Sequence, residues 1–268
     1  MKRNHLLISL FLLICFAAPL LQACASRTGQ YKCLKFAESS PESIVSSLTL
    51  EQRIAQMLMP AVYHLEEGMM KKNCYGAVLS KKDTLTASEW KALSDSLQKE
   101  AVLSDAGIPL LYGQDDVHGV NYCKGAVIFP HNIGLGAADD PALTKEAARL
   151  TALQARACGL LWNYAPESGV SADPRWGRTY ECFGEDTELV TRLSRACTEG
   201  FVENGLIACA KHYLADGNTL FGTGEQYYKG RRPIDRGDAI LSEEEIDASE
   251  KPGYRLCTCG KIPGPSEE

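Results

Sequence analysis

Apolar positions along this chain fall into two alternating patterns: short continuous runs, and longer stretches with one apolar residue every three or four positions. The runs GAVLS (76–80), IPLLYG (108–113), GAVIFP (125–130), LLWNYAP (160–166) and LIACAKHY (206–213) predict strands. Between them lie helical patterns with recognisable ends. Thr49 and Gln52 form a capping-box pair that opens a helix with Ile54, Met57 and Leu58 on one face. Trp90, Leu93, Leu97 and Ala101 share a face over 86–106, with Gly107 as the stop. Asp140 caps and Pro141 opens a third helix carrying Leu143, Ala147, Leu150 and Ala157, stopped at Gly159. A fourth, over 186–204, carries Leu189, Leu193, Ala196 and Phe201 and stops at Gly205.

Strands alternating with helices of this length imply an α/β fold with a parallel sheet and crossover connections. Periodicity alone fits both an open doubly wound sheet and a barrel. The position of the polar residues tilts the choice: Asp115 follows one strand, Asp173 to Arg178 follow another, and Lys211 with His212 end a third. Polar groups gathered at the C-terminal ends of successive strands are what a TIM-type barrel presents at its active face. No GxGxxG or GxxxxGK run follows any strand, which argues against a nucleotide-dependent enzyme. After Ala215 the pattern fades into a polar loop (216–238), LSEEEID (241–247) begins a helix, and residues 249–268, rich in Pro and Gly, read as a disordered tail.

The N-terminus changes the picture of where the protein works. Lys2 and Arg3 precede an unbroken apolar run over 6–21, short for a transmembrane helix of roughly 20 residues but suited to an export signal. LQAC (21–24) resembles a bacterial lipobox, which predicts lipidation at Cys24; plain cleavage after Ala25 is the competing reading. Both place the mature protein outside the cytoplasm, secreted or periplasmic, with a membrane tie only through a lipid anchor. The expected organisation is a signal over 1–24, a polar linker over 25–47, one partial barrel domain over 48–248 and the tail over 249–268. Net charge is −6 with a pI near 5.5 and no basic block, so nucleic acid is not the expected partner. Nine of the eleven cysteines lie beyond the signal without paired spacing, and no zinc pattern is complete. They read as small core residues, and no metal site or cofactor is expected.

Singly, the chemical residues are ambiguous. Asp115 in YGQDDVHG could cap a turn, and the arginines of DPRWGRTYE (173–181) could serve a structural ion pair. Lys211 is costly to bury unpaired, so a ligand or a carboxylate such as Asp115 or Asp173 must meet it. Trp176 reads as packing, and His118 as a group that orients the loop after Asp115.

Taken together, the blocks IPLLYGQDDVHGVNYCKGAVIFPHNIGLGAADDPAL, LLWNYAPESGVSADPRWGRTYECFGED and ACAKHYLADGNT resemble the N-terminal domain of glycoside hydrolase family 3, from about residue 48 to about 246. The resemblance implies a (β/α)8 barrel, incomplete here at about six βα units, and a retaining, exo-acting β-glucosidase taking a β-glucoside or oligosaccharide. It assigns sugar-hydroxyl binding to Asp115, Arg178, Lys211 and His212. The N-acetylglucosaminidase branch carries K-H-F-P-G-H-G, where this chain reads KHYLADG. The family's nucleophile Asp lies in an S-D-W-like block on a later strand and its acid/base Glu generally in a following domain; neither block is found here. The expectation is therefore a fragment without its catalytic pair, the alternative being a non-catalytic sugar-binding lipoprotein.

Overall fold

The computed structural model describes residues 36, 38–81, 84–227 and 230–257. Cys24 and the export signal lie outside them. The described chain forms two compact units where the sequence suggests one domain over 48–248: the first takes residues up to Pro60, His64–Ala77 and Ser96–Leu110, the second Ala61–Tyr63, Val78–Asp95 and everything from Leu111 on.

In chain order the elements are α1 (Pro41–Ser47), α2 (Leu50–Gln56), α3 (Met69–Asn73), β1 (Ala77–Leu79), β2 (Leu85–Thr86), α4 (Ala87–Val102), β3 (Leu111–Gln114), β4 (Cys123–Lys124), α5 (Asn132–Ala138), α6 (Pro141–Ala157), β5 (Trp162–Asn163), α7 (Thr187–Val202), β6 (Gln226–Tyr227), β7 (Gly230–Arg231), α8 (Glu243–Glu245) and α9 (Lys251–Cys257). Helix α1 lies in the expected linker, because Ser40 caps it and Pro41 occupies its first turn.

In the first unit, Leu48, Cys74 and Ala106 form a small core against Ala55 and Ile108. The capping box at Thr49 forms, yet the helix it starts ends at Gln56. Ala55 and Gln56 face inward, while Ile54, Met57 and Leu58 are exposed. The expected apolar face is thus the wrong one, because Gln56 is held inward by its bond to Cys74 O (2.7 Å).

The second unit is built on a parallel sheet ordered β1-β3-β5. Gly113 pairs with Trp162 and Gln114 with Asn163. Single parallel bridges extend this order at both sides, Ala61 to Leu79 and Trp162 to Ile207. Within this sheet the spatial order follows chain order, while β2 and β4 pair separately. The LIACAKHY run makes bridges only at Ile207 and Lys211, yet its backbone follows β5, with Cys209 N bonded to Ala165 O and Lys211 N to Pro166 O. The GAVIFP run is not a strand. Its backbone groups turn to other partners: Phe129 N donates to His118 O (2.8 Å) and Val127 N to Gln154 Oε1 (3.2 Å). The ladder beside it is that of β4 with β2.

Helices α6 and α7 of this unit pack on each other. Asp140 caps α6 through Ala142 N and Leu143 N, and Asp186 caps α7 through Leu189 N. Both end near left-handed glycines, Gly159 and Gly205. The buried side of α6 is its small-residue side, Thr144, Ala147, Ala148, Thr151, Ala152 and Ala155, whereas Leu143 is exposed. Gly200 explains the choice: a Cβ there would lie 2.5 Å from Lys145 O and 2.7 Å from Ala148 Cβ. The helices approach too closely for Leu143 or Leu150 to sit between them.

The segment expected to be disordered is helical to residue 257, and only its remainder lies outside the described residues. Ser242 and Glu245 form a capping box, one π turn spans Ile246–Glu250, and α9 packs on α7. Pro252 falls where the π turn passes into α9. Gly253 lies against Ser168 O, which a Cβ would meet at 2.8 Å, and Tyr254 is buried. Gly253, which looks like a breaker, is thus what lets the helix lie this close to Ser168.

Candidate functional site

Asp115, Arg178, Lys211 and His212 all line one cavity of about 830 Å³ in the second unit. Asp115 leaves the end of β3. Along that strand Tyr112 points to the helix layer, where it meets Trp90 edge-on at 5.9 Å, so residues of the other parity, Gly113 and Asp115, face the opposite way. Lys211 follows the LIACAKHY track and reaches Asp115, Nζ to Oδ1 at 2.8 Å. Its side chain is 13% exposed and that of Asp115 is 51% exposed. The pair satisfies the half-buried ammonium and leaves the carboxylate open to the cavity.

Arg178 is the hub of a larger network. Its Nε and Nη2 bind both oxygens of Glu181 at 2.8 Å, the two-pronged geometry that suits a guanidinium. Nη1 reaches Asp216 Oδ2 at 3.4 Å, and Nη2 donates to His212 Nε2 at 3.0 Å. An arginine only donates. Nε2 of His212 therefore accepts, and the ring proton sits on Nδ1, which contacts Glu167 Oε2 at 2.5 Å without hydrogen-bond alignment. Glu167 is fully buried, and its Oε1 also accepts from Gly169 N and His212 N. Tyr254 donates to His212 O at 2.8 Å, so α9 braces the same histidine from behind.

The charges are set by these contacts. Burial pushes the Glu181 carboxyl up, but the Arg178 bonds and charge, with Lys211 and His212 behind them, outweigh it and hold it below its usual range. Glu181 in turn raises Arg178, which stays cationic throughout. Asp116, next to Asp115, is the opposite case: burial first, then the Asp115 charge, raises it well above the usual range. Its backbone N–H and C=O are held by Asn163 at 2.9 Å each, fixing the turn that presents Asp115.

Further contacts tie down the segments around the pocket. Trp176 is buried with Cys182 and Ile234 and donates Nε1 to Asp235 Oδ1 (3.2 Å). Arg175 binds Asp173 with both nitrogens and lies 4.2 Å over the Phe221 ring; its bonds lower the Asp173 carboxyl to about 2. His118 donates Nδ1–H to Phe129 O (3.0 Å) and stacks on His131 at 3.9 Å. Burial and then His118 lower the His131 ring, against the pull of Glu181. Glu167, Glu181, Asp216, His131 and Tyr254 are the site residues that motif reading missed. Only Glu181 carried a signal, its spacing of three from Arg178.

Among the described residues no group of three or more His, Cys, Asp or Glu side chains could hold a metal ion. Fold and site define an α/β protein whose parallel strand ends open onto a pocket of hydrogen-bonded charged groups with aromatic walls. The family model described as "Glycosyl hydrolase family 3 N terminal domain" matches residues 49–245, and the chain belongs to that family. It is 36% identical to the lysosomal beta glucosidase of Dictyostelium discoideum over 118 residues, 44% of this chain and 14% of that protein. It is 27% identical to the periplasmic beta-glucosidase of Salmonella typhimurium over 185 residues, 65% of this chain and 23% of that one. The exo-1,3/1,4-beta-glucanase of a Pseudoalteromonas species matches with a TM-score of 0.72 at 33% identity, covering 81% of this chain and 28% of that one. The chain thus spans less than a third of the length of each.

Proposed function

We propose that this pocket holds the non-reducing terminal sugar of a β-glucoside or β-linked oligosaccharide. The chain then serves as the sugar-binding part of a retaining, exo-acting β-glucosidase. One observation carries the reading: Asp115, Arg178, Lys211 and His212, from three separate stretches of sequence, line the same cavity. A sugar sheds its water without loss only where each hydroxyl finds a partner. Asp115 offers acceptor oxygens, Lys211 and Arg178 offer charge-assisted donors, and the Arg178 network holds each charge in place before the sugar arrives. The cavity volume is within the range of small-molecule sites.

The parallel neighbours in chain order, from Ala61 to Ile207, support reading the sheet as part of a (β/α)8 barrel of about six units here. Retaining chemistry needs two carboxyl groups about 5–5.5 Å apart, one nucleophile and one acid/base. The described carboxylates lining the pocket are engaged: Asp115 by Lys211, Glu181 by Arg178, and Asp235 by Trp176 and Arg232. We assign the reactive pair to polypeptide outside the described residues. Export by the N-terminal signal, with lipidation at Cys24, completes the reading, and the periplasmic relatives are in keeping with it.

Titration calorimetry with glucose and an alkyl β-glucoside tests the pocket. Saturable binding, weakened at least tenfold by Asp115→Ala, is the expected result. Absence of binding by a folded chain, or binding untouched by Asp115→Ala, overturns it.

A further inference from the structure

The cysteines read from sequence as scattered core residues, but two of them are brought together behind the pocket. Cys123 lies on β4 and Cys158 is the C-cap of α6, 35 positions apart in sequence. Helix α4 sets their approach. Trp90 and Ser94, one turn apart on its buried face, bind the carbonyls beside the two cysteines: Trp90 Nε1 donates to Tyr122 O (3.0 Å) and Ser94 Oγ to Gly159 O (2.8 Å). A third tie, Val127 N to Gln154 Oε1 at 3.2 Å, holds the β4 loop to the last turns of α6. Both thiols are buried and free, and they lie close enough for Cys123 to act electrostatically on Cys158. Burial raises Cys158 strongly, with Cys123 adding to it, so the folded thiol is a poor nucleophile. Cys182 and Cys209 have different company, carboxylates with Arg178 for the first and Lys211, Asp115 and Trp162 for the second.

We propose that Cys123 and Cys158 form an intrachain disulfide when the chain folds in the presence of a protein or small-molecule disulfide donor. One S–S bond forms as the two thiols lose two protons and two electrons. The donor's own S–S bond takes both electrons and is reduced to two thiols. Exchange takes place during folding, before the sulfurs are covered, and the finished bond is shielded from reductant. It fastens the loop that runs from Asp115 past His118 to Cys123, one wall of the pocket, onto α6. The reading is independent of what the pocket binds.

The test uses the full chain, produced once in an oxidising bacterial periplasm and once in a reducing cytosol, then alkylated under denaturing conditions and peptide-mapped without reductant. The periplasmic protein is expected to yield linked peptides containing Cys123 and Cys158, lighter by two hydrogens than their sum. The cytosolic protein should yield both peptides alkylated. The oxidised form should melt on the order of 5–10 °C above the reduced form. That gap should vanish in the Cys123→Ser and Cys158→Ser single variants, each leaving the other thiol free to alkylate. Alkylation of both cysteines in the periplasmic protein, or linkage of either to a third cysteine, overturns the proposal.

Discussion

Arg178 decides more of the site than any other residue. It is 20% exposed and faces Glu181, Asp216 and, through His212, the buried Glu167. Removing it leaves several half-buried carboxylates unneutralised, so Arg178→Ala should cost about 2–3 kcal/mol of stability, discounted from a fully buried pair for its partial exposure. Urea unfolding checks this, and Arg178→Lys should recover only part of the loss because a point charge cannot bridge both Glu181 oxygens. Two depressed groups lining the pocket weaken the fold as pH falls, while Asp116, raised by burial, acts in the opposite direction. Glu181 in the folded state titrates below its ordinary value, so its contribution is present above the ordinary carboxylate range and is lost as pH falls through the folded pKa. The His131 ring is also lowered, so the unfolded chain takes up a proton first and stability falls as pH drops below about 6.5. In an Asp116→Asn variant, which lacks the opposing carboxyl, thermal melts from pH 8 to 4 should therefore decline in two stages. A melt that is flat between pH 7 and 5.5 would remove His131 from the account.

The α6–α7 contact shows why element faces were harder to read than element ends. The cap at Asp140 and the stops at Gly159 and Gly205 act over a few neighbouring residues, and each was legible in the chain; the cap at Asp186 emerged from the structure. The buried face of α6 was not, because its inward residues are Ala and Thr while an exposed Leu143 mimics a core position. Gly200→Ala tests this directly. Helix propensity alone favours Ala by about 1 kcal/mol. The added methyl would meet Lys145 O and Ala148 Cβ well inside contact distance, so the helices must part, at roughly 1–3 kcal/mol. We expect net destabilisation, and a higher melting temperature for the variant would show that the contact is looser than described.

For the molecule as a whole, a pocket that binds a sugar is not yet a catalyst. Interactions made equally with ground and transition states leave the chemical step unaccelerated. The carboxylates that line the cavity are occupied by Lys211, Arg178, Trp176 and Arg232. We therefore expect this 268-residue chain to bind glucose while hydrolysing an aryl β-glucoside negligibly. Robust turnover by the purified chain, abolished by Asp115→Ala, would require a reactive carboxylate pair among the described residues. The parallel run also ends at Ala61 and Ile207 in single bridges, and unsatisfied strand edges favour association. Light scattering that rises with concentration is the accompanying expectation.

Most of the alternation of strand and helix, the caps at Thr49 and Asp140 and the four motif residues that line one cavity could be read along the chain, since each depends on residue type and short spacing. The partners of those residues could not. Glu167, Asp216 and Tyr254 reach His212 and Arg178 across 38 to 45 positions of sequence, and no local pattern encodes which carboxylate meets which cation. The same holds for GAVIFP, whose composition suits a strand but whose backbone groups found His118 and Gln154 first. It holds for residues 249–257, where Gly253 reads as a breaker until Ser168 approaches so closely that a Cβ would clash, and Tyr254 finds His212 O. Hydrogen-bonding capacity is a property of the residue, but which capacity is satisfied, and by whom, is settled only when distant segments are packed together.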